Sequence, residues 1–320
     1  THAHADHFLG LPLLKNYKGK IYGTRETFEL GYDLMLDGVK ANLRNAMASM
    51  GISVESYYRM LKELEQIKKR FEGGNPEDYK DYQEIAEIIN EIESKVLYGY
   101  EDVENIKRHF CSITPLEVFT IAKGVYARIV PTPHQLGAVS VEIYAGEITA
   151  ENCVSISFSG DIGPDDSLLY RRLIYDQNPW IKYAWLEATH GVEVREQSSY
   201  QAYQFIKNRA FKAKKRNAPL IIATFSLDRS AKVLYLINKL IDETNISVPI
   251  YWDTPLGYKE LLHYQDFYSR GRKNDFWFDN LGRNPFDDNE LIICQTHMDH
   301  LDAVKADGPK IIITASAFGE

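Results

Sequence analysis

The last part of the chain, from about residue 186, alternates short apolar runs with helical patterns, and few folds can satisfy that alternation. Four runs have the length and composition of strands: 220–224, 248–252, 291–294 and 311–314. Two segments between them, 229–242 and 256–268, have the periodicity of helices. Strands separated by helices at this spacing predict βαβ units and a parallel sheet.

Two earlier zones have different patterns. Four apolar runs lie close together at 118–122, 125–130, 139–143 and 153–158, which is typical of a largely antiparallel sheet. Residues 26–110 instead have helical periodicity, with Tyr57, Leu61, Leu64 and Ile67 on one face. We therefore predict an α/β protein that carries a long helical insertion, which we interpret as a cover.

The composition excludes several classes of protein. Of 320 residues, 44% are apolar and 26% charged, which is ordinary for a packed globular chain and unlike a disordered or coiled-coil one. We find no run of about 18 apolar residues that predicts a membrane helix, and we expect no membrane partner. Three cysteines without paired spacing favour a reducing compartment, so we expect a cytoplasmic protein. The net charge of −8 argues against nonspecific coating of nucleic acid, although a nuclease whose metal ions supply positive charge stays open.

The strongest chemical signal is the segment His2-Ala-His4-Ala-Asp6-His7. Histidines two residues apart in an extended segment point the same way, and the next two ligands can turn towards a second metal ion. Imidazole and carboxylate suit zinc, with manganese or iron as alternatives. Two further candidate ligands follow at strand ends: His134 in a loop before a strand, and Asp161 directly after one. Either residue alone is more typical of a structural role, but with the histidine segment they predict a dinuclear site.

These six residues resemble the HxHxDH, distal His and distal Asp motifs of the metallo-β-lactamase fold. Leu186-Glu187-Ala-Thr-His-Gly191 resembles the Glu-Ser-Thr-Tyr-Gly motif that opens a β-CASP domain, the mark of the nucleic-acid-processing branch. The segments 220–229 and 250–256 are similar to later motifs of that domain, although Asp228 stands where the family usually has glycine. The resemblance spans almost the whole chain, in the family's order.

The resemblance implies an α/β fold made of a metallo-β-lactamase αββα sandwich (residues 1–185, with the helical insertion at about 26–110) and an inserted β-CASP α/β domain (residues 186–320). It implies two Zn²⁺ ions, with Mn²⁺ as an alternative. His2, His4 and His134 would hold one ion, and Asp6, His7 and Asp161 the other, with Asp161 bridging.

The implied activity is hydrolysis of RNA phosphodiester bonds by a metal-activated water, in RNA processing or decay. Asp6 would orient that water or accept its proton, and Glu187 would orient a later histidine. RNA is the implied substrate, with single-stranded DNA open, and a homodimer or an RNA-processing complex is the implied assembly.

Substrate contact is expected from positive charge. Arg229, at a strand-to-helix turn, is a candidate phosphate contact because helix N-termini favour anions. Six cations lie in ten residues, and the alternative reading of this run is a solvated helix end: Lys207, Arg209, Lys212, Lys214, Lys215 and Arg216.

Both ends of the chain interrupt a pattern, so we expect a fragment that lacks the strand before His2 and two later histidines of the family, a metal ligand and a general acid. Two other functions stay open: a non-catalytic subunit of an RNA-processing complex, and a small-molecule hydrolase of the metallo-β-lactamase fold. His297 and His300, in a segment that we interpret as a surface loop, fall where the family has no ligands.

Overall fold

A computed structural model describes residues 1–71, 76–148, 153–171, 180–189, 191–192, 197–225, 227–244, 246–269, 277–278, 284–287 and 291–315. Helices and strands both make up large parts of the described chain, with the strands in several sheets, so the predicted α/β class is confirmed. The chain divides into two compact units, which we call the sheet unit (Thr1–His7, Ile21–Gly31, Cys111–Glu320) and the helical unit (Phe8–Lys20, Tyr32–Phe110). None of the described helices is both long and apolar enough to cross a membrane.

The helical unit contains the amphipathic helices that the periodicity predicts. After a short helix α1 (Ala5–Phe8), the long helices are α2 (Arg25–Ser49), α3 (Val54–Phe71), α4 (Pro76–Ser94) and α5 (Tyr100–Lys107). Tyr57 and Ile67 of α3 are buried, as are Ile89 and Ile92 of α4. Residues 25–31 of α2 belong to the sheet unit, so this helix is shared by both units.

The first sheet of the sheet unit is largely antiparallel, as predicted. A small two-stranded sheet, which the sequence did not predict, pairs β1 (Ile21–Gly23) with β2 (Phe110–Ser112). The five-stranded sheet has the order β3-β4-β5-β6-β7, with β3 (Val118–Ala122), β4 (Val125–Pro131), β5 (Val139–Ala145), β6 (Val154–Phe158) and β7 (Tyr183–Trp185). Its pairs are antiparallel except β6–β7, which is parallel.

The second sheet is parallel throughout, which confirms the reading of the strand–helix alternation. Its order is β10-β9-β11-β8, formed by β8 (Pro219–Thr224), β9 (Ile250–Asp253), β10 (Leu291–Ile293) and β11 (Lys310–Ala315). Its helices are α6 (Ser199–Lys215), α7 (Arg229–Thr244), α8 (Pro255–Ser269) and α9 (His297–Lys305). The interpretation of the segment with His297 and His300 as a surface loop was wrong: it forms α9, which Thr296 caps by accepting a hydrogen bond from the Asp299 main chain.

One hydrophobic cluster contains residues from both large sheets of the sheet unit. Ala3, Ile129 and Val139 lie near or in the first sheet, while Trp252 and Ile313 lie in the second, and all are 3% exposed or less. Apolar burial is the main favourable term in folding, so both sheets depend on the same core. The domain boundary at 185/186 and the αββα sandwich stay predictions.

Candidate metal centre

The segment that carries the first histidines lies against the start of β5. The Val139 amide donates a hydrogen bond to the carbonyl oxygen of Thr1 at 3.0 Å, and Ala3 is 0% exposed in the shared core. His2 is buried beside it. Helix α1 begins at Ala5, immediately after His4. The chain therefore changes from an extended segment to a helical turn between the first two candidate ligands and the next two.

Three imidazole nitrogens converge at one point of this segment. His4 Nδ1 lies 3.0 Å from His2 Nε2 and 3.0 Å from His134 Nε2. Asp161 Oδ2 lies 3.7 Å from His2 Nε2 and 3.4 Å from His134 Nε2. Ligand atoms of these four residues all lie within 4.8 Å of one another, and no other such metal-ligand group occurs in the described part of the chain.

The Asp161 carboxylate faces two groups at once. Its Oδ1 lies 3.5 Å from His7 Nε2, and the same imidazole nitrogen lies 3.5 Å from Asp6 Oδ2. One carboxylate oxygen therefore faces the three-histidine cluster, and the other faces His7. Of the six residues predicted as ligands, the structure groups four, His2, His4, His134 and Asp161. His7 lies beside Asp161, and Asp6 reaches the group through His7; their roles as ligands stay predictions.

Burial keeps the clustered imidazoles neutral. Desolvation, followed by the neighbouring histidines, lowers the pKa of His2 to about 2. Desolvation and His4 lower the pKa of His134 to about 4, and burial also lowers the pKa of His4. Neutral imidazole is the form that binds a metal, so these three side chains are in the ligand form at neutral pH.

The loops that carry His134 and Asp161 are tied to each other. The Thr132 hydroxyl donates a hydrogen bond to the main-chain oxygen of Asp161 at 2.9 Å. Gly163, with φ +79°, lies so close that a Cβ added there would be 2.6 Å from both the nitrogen and the Cα of His134. Glycine is required here by its backbone conformation and by this approach.

The other end of the His134 loop is held by α2. The hydroxyls of Thr24 and Thr27 each donate a hydrogen bond to the Gly137 oxygen at 2.8 Å, and both side chains are buried. Neither threonine was predicted from the sequence to support the site. A Thr-x-x-Thr before an amphipathic helix signals an N-terminus, but nothing local shows that its hydroxyls reach a loop 110 residues away.

Glu187 braces the Asp161 loop. Its Oε1 accepts a hydrogen bond from the Ile162 amide at 2.7 Å, and its Oε2 accepts one from the Thr189 hydroxyl at 2.8 Å. Burial acts to raise the pKa of Glu187, but these hydrogen bonds outweigh it and lower the pKa. Its predicted role towards a later histidine stays a prediction. His190 in the same motif lies outside the described residues.

Arg229 is the first residue of α7, at the strand-to-helix turn where the sequence placed it. The guanidinium is exposed and lies 5.9 Å from the centre of the Phe225 ring. One turn further along α7, the Lys232 ammonium donates a hydrogen bond to the main-chain oxygen of His134 at 2.6 Å. Lys232 was not predicted from the sequence, although it lies only three residues after Arg229.

The basic run lies on α6 and just beyond it. Phe205, Arg209, Lys212 and Arg216 recur at the spacing of one helical face, and all are exposed. The Arg209 guanidinium lies 4.8 Å from the centre of the Phe205 ring. Lys207 is different, because it is paired with Glu243 at 3.2 Å. We call Phe205, Arg209, Lys212 and Arg216 the α6 stripe.

Comparison of the sequence with protein-family models and with curated proteins gives no match.

Proposed function

We propose that this chain is a zinc-dependent hydrolase of RNA phosphodiester bonds with a dinuclear metal centre. The observation that carries the proposal is the position of Asp161 between two groups of ligands. A carboxylate shared in this way is the arrangement expected for a bridging ligand, and three imidazoles that converge on one carboxylate are the donors that zinc prefers.

The donor set fits zinc. Two nitrogen–nitrogen separations of 3.0 Å are close to the roughly 3.3 Å between ligands at the corners of a tetrahedral site with zinc–nitrogen distances of about 2.0–2.1 Å. His2, His4 and His134 would hold one ion, Asp6 and His7 the other, and Asp161 both. Mn²⁺ is the alternative ion, since imidazole and carboxylate also suit it. Two such ions lower the pKa of a coordinated water and neutralise charge on phosphoryl oxygens.

The chain's own residues have separate tasks in this proposal. Asp6, whose side chain is 80% exposed, orients the attacking water and accepts its proton. Glu187 keeps the Asp161 loop in place through the Ile162 amide. Arg229 binds a substrate phosphate at the N-terminus of α7, where the helix also favours anions.

The α6 stripe supports RNA as the substrate. An exposed aromatic ring beside three cations combines base stacking with phosphate contact, which is how single-stranded nucleic acids are bound without sequence preference. Its members lie within 12 residues of helix and turn, whose 11 steps of 1.5 Å give about 16 Å, so the stripe is long enough for more than one phosphate. Single-stranded DNA offers the same chemistry. The cytoplasmic location and the homodimer or RNA-processing complex stay proposals of the same kind.

Metal content and cleavage together test the proposal. Elemental analysis should find two zinc ions per chain in the wild type and one or none in Asp161→Ala, while Asp302→Ala, an exposed aspartate on α9, should keep both. A labelled single-stranded RNA incubated with zinc should be cleaved by the wild type and not by Asp161→Ala.

Each other outcome overturns part of the proposal. A folded wild type without zinc would rule out the dinuclear centre. Two zinc ions with RNA binding but no cleavage would support the non-catalytic subunit instead. Two zinc ions with hydrolysis of small esters and none of RNA would support the small-molecule hydrolase.

A further inference from the structure

A charge pair formed by a buried aspartate and a partly exposed lysine contacts the main chain of His134. Asp228 sits in the turn between β8 and α7, with φ +64°, and is 3% exposed. Lys232, one turn into α7, is paired with Asp228 Oδ2 at 2.5 Å. The same Lys232 ammonium donates to the His134 carbonyl oxygen at 2.6 Å. The second sheet therefore reaches a candidate ligand of the first sheet through two side chains.

The charge pair is itself fixed by aromatic neighbours. Asp228 Oδ1 accepts a hydrogen bond from the Tyr264 hydroxyl at 2.7 Å and one from the Tyr170 hydroxyl. Both tyrosines are 2% exposed or less. The Lys232 ammonium lies 4.9 Å from the centre of the Tyr170 ring, within the range of a cation–π contact. A lysine held by a carboxylate, a carbonyl and a ring has little rotamer freedom left.

A second buried carboxyl group, that of Glu260, lies beside the pair. Its Oε1 accepts a hydrogen bond from the Asp228 amide. Burial, reinforced by the Asp228 carboxylate, raises the pKa of Glu260 well above its usual value. Burial acts to raise the pKa of Asp228 as well, but Lys232 and the tyrosine hydroxyls outweigh it and lower it. These opposite directions make Asp228 the carboxylate that favours its ionised form, and Asp228 is the one that pairs with Lys232.

We propose that Lys232 is a positioning residue for the candidate metal centre, and that the Lys232–Asp228 pair fixes the peptide plane that contains the His134 carbonyl. With Gly163 against its nitrogen and Cα and Lys232 on its oxygen, His134 has no freedom to rotate its main chain. A fixed main chain also fixes the Cα–Cβ bond of His134. From this bond the imidazole brings Nε2 to 3.0 Å from His4 Nδ1. The inference rests on the proposed function only for the zinc readout.

The test compares lysine-to-methionine changes at two positions of α7. Lys232→Met removes the ammonium and keeps the length of the stem. Lys239→Met is the matched control, because Lys239 lies on the same helix and has the same kinds of partner, a carboxylate (Glu243 at 3.3 Å) and a tyrosine ring (Tyr203 at 5.9 Å). A double variant, Lys232→Met with Asp228→Asn, removes both charges and so leaves no unpaired buried carboxylate.

Two readouts are taken on each variant. Competition with a chromogenic chelator should show zinc affinity lowered by roughly 10- to 100-fold in Lys232→Met and in the double variant, the range found when groups that orient a ligand are removed. Hydrogen–deuterium exchange of the metal-free chain should become faster in residues 132–138 of the same variants. Lys239→Met should match the wild type in both.

The exchange readout keeps this inference separate from the proposed function. One outcome is a wild type that contains no zinc, while exchange at 132–138 is faster only in the folded Lys232 variants. That result would rule out the dinuclear centre and support the positioning role. Unchanged exchange at 132–138 in a folded double variant would overturn the positioning role whatever the zinc result. Faster exchange spread over the whole sheet unit would also overturn it, since the pair would then stabilise the fold in general.

Discussion

At the scale of single residues, Gly163 gives the sharpest steric prediction. Alanine there would adopt a left-handed backbone at φ +79° and place its Cβ 2.6 Å from two main-chain atoms of His134. Gly124, in the turn between β3 and β4, is a matched control, because it has φ +74° but no atom within 4 Å of a Cβ. We expect Gly124→Ala to lower the free energy of unfolding by about 1–2 kcal/mol, the cost of the backbone conformation.

Gly163→Ala should cost a further 1–3 kcal/mol or so, since the clash is with main chain and cannot be relieved by a rotamer change. It should also lower the zinc content, because relief requires His134 to move. Urea denaturation and elemental analysis of both variants measure these effects. Equal zinc content in the two folded variants would show that the contact with Gly163 does not hold the ligand.

Glu260 leads to a prediction about pH. Its pKa in the folded chain lies well above the unfolded value of about 4.5, so folding favours the protonated form. The contribution of protonated Glu260 to the free energy of unfolding is fully present below pH 4.5. It is lost as the pH rises through the pKa of Glu260 in the folded chain. Glu260→Gln keeps the shape and cannot titrate. We expect its free energy of unfolding, relative to the wild type, to rise by about 1.4 kcal/mol per pH unit above pH 4.5.

Urea denaturation of both proteins across pH 4 to 8 measures this difference. A difference that stays constant over the range would mean that Glu260 is ionised in the folded protein. Asp228→Asn should behave in the opposite way and be destabilising at neutral pH, because it leaves Lys232 without its carboxylate.

At the same scale, the candidate ligands were easier to predict from the sequence than the residues that hold their loops in place. His2, His4, Asp6 and His7 lie within six residues of one another, so their shared chemistry is visible in the sequence. The supports are scattered: Thr27 is 110 residues from Gly137, and Lys232 is 98 residues from His134. A single threonine or lysine has many ordinary roles, and only the tertiary structure shows which main-chain oxygen it reaches.

At the scale of elements, α6 gives a prediction about RNA binding. Changing the three cations of the α6 stripe to glutamine (Arg209, Lys212, Arg216) should weaken binding of a single-stranded RNA and reduce its salt dependence. Three lost phosphate contacts correspond to a decrease of about 2 in the slope of log affinity against log salt. Fluorescence anisotropy at several salt concentrations measures both quantities.

Three exposed lysines of α3 provide the control: Lys62, Lys68 and Lys69. Their change to glutamine alters the net charge equally, at a helix of the helical unit. A similar loss of affinity in the control would show that RNA responds to the net charge rather than to the α6 stripe. Unchanged binding in the α6 variant would remove the stripe from the proposed substrate path.

The elements themselves were largely predictable. Residues 118–122 and 229–242, for example, were predicted as a strand and a helix, and the structure has β3 at Val118–Ala122 and α7 at Arg229–Thr244. The exceptions are elements that lack a strong apolar period. Helix α9 has one buried apolar residue, Ala303, and begins through its Thr296 cap, so its histidines suggested a loop. Strands β1 and β2 have three residues each, too few for a period to show.

At the scale of the whole molecule, the two compact units raise the question of which one the metal centre depends on. All six candidate ligands belong to the sheet unit. The helical unit has a core of its own around Met47, Tyr57, Ile89 and Ile92. Ile92 there and Ile313 in β11 are both 0% exposed, so alanine at either position should cost about 2–5 kcal/mol of local stability.

We expect the two substitutions to have different effects on the metal centre. Ile313→Ala should shift the release of zinc to a lower urea concentration, because the core around β11 also contains Ala3 and Val139. Ile92→Ala should speed hydrogen exchange in α3 and α4 and leave zinc release where it is in the wild type. If Ile92→Ala instead shifts zinc release as far as Ile313→Ala does, the units unfold together. Helix α2 is then the connection to test first, since its Thr27 holds Gly137 while its later turns belong to the helical unit.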